Sequence, residues 1–206
     1  MAHIAAVILA AGLGTRYRAQ DSSAVSKVLA DLDGRPLVRH VIDEALCSRC
    51  APVVVVTGYA HAAVEAALAD ADVSLAHNPD YETGLASSLK RGIGRLPVNS
   101  QGAIVLLADM PKVSSAIINR LVQSFIDHPD AHAIVPVYNG TRGNPVLLAR
   151  ALFPEIMQLK GDQGARPILE AAAKNERIIY VPMDNEAIAT DVDTPDALAA
   201  LRAVKS

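Results

Sequence analysis

A short glycine turn near the start of the chain has the composition of a phosphate-binding loop. It follows an apolar run and reads Ala10-Ala11-Gly12-Leu13-Gly14-Thr15-Arg16. Small residues let backbone N–H groups approach an anion closely, and arginine offers forked donors to phosphate oxygens. The turn is not a Walker A loop, which needs lysine directly after its last glycine. It is also not a complete G-x-G-x-x-G, because Tyr17 stands where the third glycine would fall. Taken alone, it is equally compatible with an ordinary connection between a strand and a helix.

Two acidic segments have the surroundings of metal ligands. Asp109 follows the apolar run Leu106-Leu107-Ala108, so we expect it at the carboxyl end of a buried strand, where Mg²⁺ finds oxygen ligands. Asp191 and Asp193 are two residues apart, and in an extended segment their side chains face the same way. They either share a metal or provide one ligand and one helix cap. The alternative is that Asp193 only caps the last helix and Asp191 is solvated.

Further polar residues are predicted at positions that suit nucleotide binding. Gly84, Ser87 and Ser88 open a predicted helix, whose first N–H groups and serine hydroxyls suit either phosphate or the polar edge of a base. The six histidines lack a ligand spacing on one element, so we interpret them as solvated or structural, with His77 as a contact to base or ribose.

The two cysteines, Cys47 and Cys50, form a C-x-x-C pair between a predicted helix and a predicted strand. The pair therefore lies at a helix C-terminus, where the helix dipole disfavours a thiolate. We expect two reduced thiols in a loop rather than a redox centre, and one pair cannot make a zinc site alone.

The composition limits the class of protein. The chain has 206 residues, 51% of them hydrophobic and 3% aromatic, with a net charge of −3. A core of Ala, Val, Leu and Ile suits helices packed on a parallel sheet. The net charge argues against non-specific binding to nucleic acid, and nothing favours a membrane surface. The apolar N-terminus is too short for a transmembrane helix and lacks a signal-peptide layout, so we expect a cytoplasmic protein.

Strands and helices are predicted to alternate along the chain. Apolar runs predict buried strands at residues 4–10, 53–57, 103–108 and 133–137, and shorter strands at 73–77, 146–148 and 178–182. Helices are predicted at 36–46, 61–69, 87–95, 115–128, 165–174 and 195–204, the fourth of them capped by Ser114 or Ser115. The polar stretch 139–145 suggests a β-excursion over the sheet edge. The pattern indicates an α/β fold with a mostly parallel sheet, in one domain covering residues 1–206.

The N-terminal pattern resembles that of a known enzyme family. The string LAAGLGTRYR, followed by SKVLADLDGRPLVRHVIDEAL, is similar to the signature of the MobA-like nucleotidyltransferases. The resemblance implies a Rossmann-like, three-layer α/β/α fold of the nucleotide-diphospho-sugar transferase type. It implies catalytic roles for Arg16, Lys27 and Asp109, and Mg²⁺ held by Asp109 with Asp191 or Asp193. The nucleotide-binding set that we expect is Leu9, Ala10, Ala11, Gly12, Gly14, Thr15, Arg16, Lys27, His77, Gly84, Ser87 and Ser88.

Three later segments resemble one branch of this family, the molybdenum cofactor cytidylyltransferases of the MocA type. They are GLASSL from Gly84, GTRGNP from Gly140 and GDQGAR from Gly161. The branch implies CTP as the nucleotide, a molybdopterin-type acceptor, and a molybdoenzyme or its chaperone as partner protein. The acceptor-binding residues that it implies are Thr141, Arg142, Asn144 and Arg166.

The first loop bears on the choice of nucleotide. The cytidylyltransferase branch typically has LAAG, as here, where the guanylyltransferase branch has LAGG. The methyl group of Ala11 crowds a purine more than a pyrimidine, although such a difference is worth only about 1–3 kcal/mol. The chain departs from the family at Arg16-Tyr17-Arg18 and at Asn144, where histidine is frequent.

The resemblance implies in-line attack of an acceptor phosphate oxygen on the α-phosphorus of CTP, with release of pyrophosphate. A phosphate nucleophile is already ionised at neutral pH, so no general base is needed. Three alternatives stay open at this point: a sugar phosphate or other small phosphorylated acceptor, a non-catalytic nucleotide-binding module, and a redox protein that uses Cys47 and Cys50.

Overall fold

The computed structural model describes residues 3–203, with an eight-stranded sheet at the centre. The strands are β1 (Ile4–Ala10), β2 (Asp31–Leu32), β3 (Arg35–Pro36), β4 (Val53–Thr57), β5 (Ser74–His77), β6 (Gly102–Leu107), β7 (Ala133–Tyr138), β8 (Thr141–Arg142), β9 (Val146–Ala149) and β10 (Ile178–Pro182). The helices are α1 (Thr15–Gln20), α2 (Leu37–Leu46), α3 (His61–Ala66), α4 (Leu85–Ile93), α5 (Ser115–Asp127), α6 (Phe153–Ile156), α7 (Arg166–Lys174) and α8 (Pro195–Ala203). Short 3₁₀ turns occupy Lys27–Leu29, Tyr81–Thr83, Arg150–Leu152 and Glu186–Ala189.

The central sheet is mixed but mostly parallel. Its order is β10-β7-β9-β6-β1-β4-β5, with β8 paired to β7, while β2 and β3 form a separate hairpin. The pairs β4–β5, β1–β4, β1–β6 and β7–β10 are parallel, and β9 runs antiparallel to both of its neighbours. The carboxyl ends of β1 and β6 therefore lie side by side, with Leu9 opposite Leu107. This edge is where loops of a parallel sheet form ligand sites.

Two apolar clusters make the three layers. Along β1 the side chains alternate, so that Ile4, Ala6 and Ile8 belong to one cluster and Val7 and Leu9 to the other. The first cluster contains the buried faces of α2, α3 and α5, and the second contains those of α4, α6 and α7. Burial of the strands on both faces explains their uninterrupted apolar sequences.

A third, smaller cluster joins the two ends of the chain. Tyr17 of α1 packs with Val192 and with Leu198 of α8, together with Leu32 and Leu37. Tyr17 is only 4% exposed. The tyrosine that replaces the third glycine of the loop is thus a core residue, and it holds the segment before α8 against the glycine turn.

The predicted fold class is confirmed, and most predicted elements are present. Strands β1, β4 and β10 have the predicted bounds. Ser114 caps α5 by accepting the N–H of Ile117. Helix α4 begins two residues earlier than predicted, because its first N–H groups are hydrogen-bonded by a loop distant in sequence. The last predicted helix includes Val204, which lies outside the described residues.

Residues 139–145 contain the exposed strand β8, which pairs with the end of β7, but the position of the strand that follows was not predicted. The chain turns back after β8 and inserts β9 into the sheet interior, between β6 and β7. The segment Val146–Ala149 is fully buried, so this strand is apolar on both faces. The strand has only four residues, which are too few for the sequence to indicate whether it runs parallel or antiparallel to its neighbours.

Within residues 3–203, the structure contains no helix with the length and apolar character required to cross a lipid bilayer.

Candidate active site

The glycine turn forms one wall of a cleft of about 570 Å³ at the carboxyl edge of the sheet. Strand β1 ends at Ala10, and α1 begins at Thr15. Gly14 has φ +59°, and a β-carbon there would lie 2.9 Å from the Cβ of Lys27. Only glycine therefore lets Lys27 approach the turn so closely. At Gly12, by contrast, a β-carbon would have no neighbour within 4 Å among the described residues.

Three charged side chains from distant parts of the sequence meet at Lys27, which lines this cleft together with Asp109. Lys27 Nζ lies 2.5 Å from Asp109 Oδ2 and 2.9 Å from Asp193 Oδ1. Asp109 follows β6, and Asp193 precedes α8. The side chains of Lys27, Asp109 and Asp193 are 13%, 18% and 28% exposed, so all three are largely shielded from water. The structure thus brings together Lys27 and Asp109, two of the three residues to which the resemblance gives catalytic roles.

Arg16 closes the outer side of this cluster. Its guanidinium forms an ion pair with Asp193 Oδ2, and its side chain is 78% exposed. Such an exposed pair contributes little to stability, and a phosphate group can replace the carboxylate at little cost. Arg16 is therefore linked to Lys27 of the cleft through Asp193, and its exposed guanidinium is available to an anionic ligand.

The contacts in this cluster shift the pKa values of Lys27 and Asp193. Burial disfavours the charged form of Lys27, but Asp109 and Asp193 outweigh this effect, and the pKa of the ammonium is raised. The hydrogen bond from Lys27 lowers the pKa of Asp193 against a smaller opposing effect of burial, and Arg16 lowers it further. At neutral pH Lys27 is therefore a cation and Asp193 an anion.

The two acids have the chemistry of a divalent-cation site. Asp109 Oδ1 is buried and has no hydrogen-bond partner in the part of the chain that the structure describes. A buried carboxylate oxygen without a donor is costly, and a hard cation such as Mg²⁺ satisfies it. Asp193 faces the same ammonium as Asp109, so the two carboxylates converge. The residues thus fit a metal, and Asp109 and Asp193 are the pair placed to hold it.

Asp191 is placed differently from Asp193. It is exposed, and it makes no hydrogen bond or ion pair with residues 3–203. Between the two acids, Val192 is buried, and its N–H donates to the carbonyl of Asp109 at 2.9 Å. Helix α8 is capped by Thr194, whose Oγ1 accepts the N–H of Ala197 at 3.2 Å. This cap leaves the Asp193 carboxylate to Lys27 and Arg16.

The opposite wall of the cleft is the start of α4. Gly84 and Ser88 line the cleft, whereas Ser87 lines a neighbouring cavity. The buried amide of Asn78 donates to Ser87 Oγ at 2.8 Å and to Ser88 Oγ at 3.0 Å. These bonds fix both hydroxyls. The position of Ser88 supports its predicted contact with a nucleotide. Ser87 lies in the neighbouring cavity instead.

His77 lies at the end of β5 and is not among the described residues that line the cleft. Its ring packs against His61 with centroids 4.1 Å apart, and its Nδ1 atom is buried without a hydrogen-bond partner in the described chain. The predicted contact of His77 with base or ribose therefore has no direct geometric support in this structure.

The four predicted acceptor-binding residues lie together in a second cavity of about 740 Å³. Thr141, Arg142 and Asn144 come from β8 and the following turn, and Arg166 begins α7. Arg142 stacks over the ring of Tyr180 at 5.2 Å, and Arg166 Nε donates to Glu170 at 3.0 Å. The cavity has an apolar floor that includes Leu89, Val105, Val135 and Val146. It shares Leu9, Leu85 and Leu107 with the first cleft, so the two spaces adjoin.

Sequence reasoning missed the residues that support the glycine turn from outside. Arg18 Nε donates to the carbonyl of Leu13 at 3.0 Å, and its Nη1 donates to Tyr59 Oη at 2.8 Å. The Arg18 guanidinium lies over the Tyr59 ring at 4.3 Å. The Tyr59 N–H donates to the carbonyl of Ala11. The signal was present as the unusual Arg16-Tyr17-Arg18, but the partner on the β4–α3 connection was not visible from sequence.

Tyr81 and Asp162 also line the cleft without having been predicted. Tyr81 meets Tyr59 edge to face, with centroids 6.4 Å apart. Asp162 stands inside the GDQGAR segment, so its signal was in the motif, although only Arg166 was assigned a role.

Neither cysteine is among the described residues that line the two cavities. Cys47 is exposed and Cys50 is buried, and both are free thiols. Burial raises the pKa of the Cys50 thiol to about 11, so it stays protonated at neutral pH.

Comparison with known proteins places the chain in a family. The model of the MobA-like NTP transferase domain matches residues 6–177. The bifunctional protein GlmU of Burkholderia mallei (strain SAVP1) is 39% identical over 121 residues, which are 59% of this chain and 25% of that protein. The aligned part is thus about a quarter of the length of this curated relative.

Solved structures share the fold over nearly the whole chain. Rv0371c from Mycobacterium tuberculosis H37Rv superimposes with a TM-score of 0.83 at 25% identity, over 98% of each chain. A manganese complex of Rv0371c gives a TM-score of 0.77 at 23% identity, again over 98% of each. A nucleotidyl transferase from Methanothermobacter (Mth528) gives 0.83 at 23% identity, over 98% of this chain and 97% of that one. Since the family model covers most of its length, the chain belongs to the MobA-like NTP transferase domain family, a family of nucleotidyltransferases.

Proposed function

We propose that this nucleotidyltransferase transfers CMP from CTP to the phosphate of a molybdopterin-type acceptor and releases pyrophosphate. The observation that carries the proposal is the pair of adjoining cavities. One contains the glycine turn with Lys27 and Asp109, and the other contains Arg142 and Arg166 above an apolar floor. A nucleotide in the first space and a phosphorylated ring in the second would meet near their shared wall.

The proposal gives a role to the glycine turn and to the four charged residues around it, Arg16, Lys27, Asp109 and Asp193. The backbone of residues 10–15 would surround the triphosphate, and Arg16 and Lys27 would neutralise its charge. Asp109 and Asp193 would hold Mg²⁺, and the orphaned Oδ1 of Asp109 supports this assignment. The cation, when bound, supplies a positive charge to the phosphate oxygens. The solved manganese complex of Rv0371c is that of a protein with the same fold.

The chemical step needs positioning and charge neutralisation rather than a base. An oxygen of the acceptor phosphate forms a bond to the α-phosphorus of CTP, and the bond from that phosphorus to the bridging oxygen breaks. The electron pair leaves with pyrophosphate, whose charge Lys27 and Arg16 balance. The acceptor phosphate is already ionised at neutral pH, so no proton has to be removed from it.

The close packing at Ala11 in the glycine turn favours CTP over GTP. Ala11 is 2% exposed, and Gly58 packs so closely against it that a β-carbon at position 58 would lie 2.8 Å from the Ala11 Cβ. The Ala11 methyl group therefore cannot move away from a larger base. The expected discrimination is about 1–3 kcal/mol.

The second cavity suits a flat ring that carries a phosphate. Its floor is apolar, and Arg142 and Arg166 at its border supply charge for a phosphate group. Thr141 and Asn144 add hydrogen-bonding groups for the polar edge of a pterin. The product of this reaction is a cofactor for a molybdoenzyme, so that enzyme or its chaperone is the proposed partner protein.

Pyrophosphate release from CTP and Mg²⁺ tests the proposal, with molybdopterin compared against a panel of sugar phosphates. We expect turnover with molybdopterin, and with CTP in preference to GTP. Arg142→Ala should raise the acceptor KM about tenfold or more and leave the KM for CTP unchanged. Arg120→Ala, which removes a surface arginine paired with Asp184, is the matched control. Turnover with a sugar phosphate but not with molybdopterin would show that the acceptor is a sugar phosphate. Tight binding of CTP without any turnover would favour a non-catalytic nucleotide-binding module.

A further inference from the structure

The loop that carries the GDQGAR motif is bonded to the first turn of α4. Asp162 Oδ1 accepts the N–H of Leu85 at 3.1 Å, and the carbonyl of Gly161 accepts the N–H of Ala86 at 3.1 Å. These are two of the N–H groups that a helix cannot satisfy internally, so a distant loop provides the cap. We call these two hydrogen bonds the inter-loop contact.

The backbones at the inter-loop contact touch because the residues there are glycines. A β-carbon on Gly84 would lie 2.4 Å from the carbonyl carbon of Gly161, and Gly84 has φ +111°. A β-carbon on Gly164 would lie 2.9 Å from Leu85 Cδ2, and Gly164 has φ +53°. Leu85 is therefore hydrogen-bonded at its N–H by Asp162, and its side chain lies where a β-carbon on Gly164 would be crowded.

The inter-loop contact lies on the boundary between the two cavities. Asp162 lines the nucleotide cleft, and the next four residues, 163–166, line the acceptor cavity. Leu85 lines both. A change in the position of the loop thus moves a wall that the two substrates share.

We infer that Asp162 is a positioning residue which, by accepting the Leu85 N–H, sets the shared wall and so the affinity for nucleotide and acceptor together. This inference rests on the proposed two-substrate reaction. The carboxylate acts through Leu85 and does not itself react. Its negative charge at a helix N-terminus is also favourable, because the helix dipole places positive charge there.

The test compares Asp162→Ala with Asp162→Asn, which keeps an oxygen acceptor in nearly the same place. Asn is as good a cap as Asp, so the Asn variant should recover most of what the Ala variant loses. Asp196→Ala is the control, because Asp196 is an exposed acid in the first turn of α8 whose side chain has no hydrogen bond or ion pair with the described residues.

Amide hydrogen exchange on the ligand-free protein measures the contact itself. We expect protection of the Leu85 N–H to fall about fivefold in Asp162→Ala and to be retained in Asp162→Asn and Asp196→Ala. Unchanged protection in the Ala variant would overturn the inference, whatever the substrates of the enzyme are.

Steady-state kinetics measure the consequence for the substrates. In Asp162→Ala we expect the KM for the nucleotide and the KM for the acceptor to rise together, about fivefold each, with a smaller change in kcat. A merely structural cap would lower Tm and leave both KM values of the folded enzyme unchanged, and that result would also overturn the inference. If the wild type shows no transfer, the proposed function fails. The exchange experiment still shows in that case whether Asp162 protects the Leu85 N–H.

Discussion

Lys27 and Asp109 are 82 residues apart in the chain, and their charged atoms are 2.5 Å apart in the folded protein. The same ammonium reaches Asp193 at 2.9 Å, so one cation occupies the space between two carboxylates. In the proposed function, a bound triphosphate would compete with these carboxylates for Lys27, and the acids would then be free for a divalent cation. Nucleotide and cation should therefore bind more tightly together than either does alone.

Asp109→Asn tests the metal assignment. The amide has almost the same shape as the carboxylate but lacks its charge, so we expect pyrophosphate release to fall at least about 100-fold without loss of the fold. Release of pyrophosphate and the circular dichroism spectrum are the measurements. Asp184→Asn, which removes an exposed acid paired with Arg120, should leave turnover unchanged. Full turnover in Asp109→Asn would show that Asp109 does not hold a catalytic metal.

Lys27→Ala separates nucleotide use from stability. The ammonium is shared between two carboxylates in a partly buried site, so its loss should lower Tm by about 2–6 °C. The KM for nucleotide should rise at least about tenfold, because the triphosphate loses a neutralising charge. Lys112→Ala removes a partly exposed lysine with one partner, Glu186, and is the control. If nucleotide use survives in Lys27→Ala while Tm falls, Lys27 is structural.

Much of this site was predictable because its residues follow strands. Asp109 lies at the end of an apolar run, and a parallel sheet brings the ends of neighbouring strands together, so its meeting with the glycine turn follows from local sequence. Asp193 could not be chosen over Asp191 in this way. The choice depends on the contact of Asp193 with Lys27, 166 residues away, and on the burial of Val192, and both are tertiary facts, whereas the Thr194 cap is local.

The contacts between loops were not predictable for the same reason. The start of α4 depends on Asp162, which is 77 residues away, and the support of the glycine turn depends on Tyr59. Periodicity reports which face of an element is buried, but it does not report which loop lies against its end. The position of β9 inside the sheet was missed because its direction is set by pairing with β6 and β7.

Two alanine substitutions in the glycine turn should have different effects. Gly14 has φ +59° and contacts Lys27, so Gly14→Ala should cost about 1–2 kcal/mol of stability and displace the lysine. Gly12 has open space where its β-carbon would be, so Gly12→Ala should change stability by less than about 0.5 kcal/mol. The measurement is the free energy of unfolding in urea.

The same pair tests whether phosphate approaches the backbone at the turn. The added methyl group in Gly12→Ala would project into the space that the triphosphate is proposed to fill, so nucleotide affinity should fall about tenfold or more despite the unchanged stability. Calorimetric titration with CTP and Mg²⁺ measures it. Unchanged affinity in this variant would mean that the ligand does not contact the turn at Gly12.

The lowered pKa of Asp193 gives the site a pH dependence with a definite sign. A carboxyl group whose pKa is lower in the folded than in the unfolded state binds fewer protons when folded. It therefore stabilises the fold above its ordinary range, and this contribution is lost as the pH falls through the lowered value. The free energy of unfolding of the wild type should exceed that of Asp193→Asn by about 1–2 kcal/mol at pH 7. The difference should shrink towards zero in strong acid, below the ordinary range of aspartic acid. Urea unfolding of both proteins from pH 7 down to pH about 2 provides the measurement. A difference that stayed constant down to strong acid would show that the variant acts through packing rather than through the charge that Lys27 and Arg16 hold.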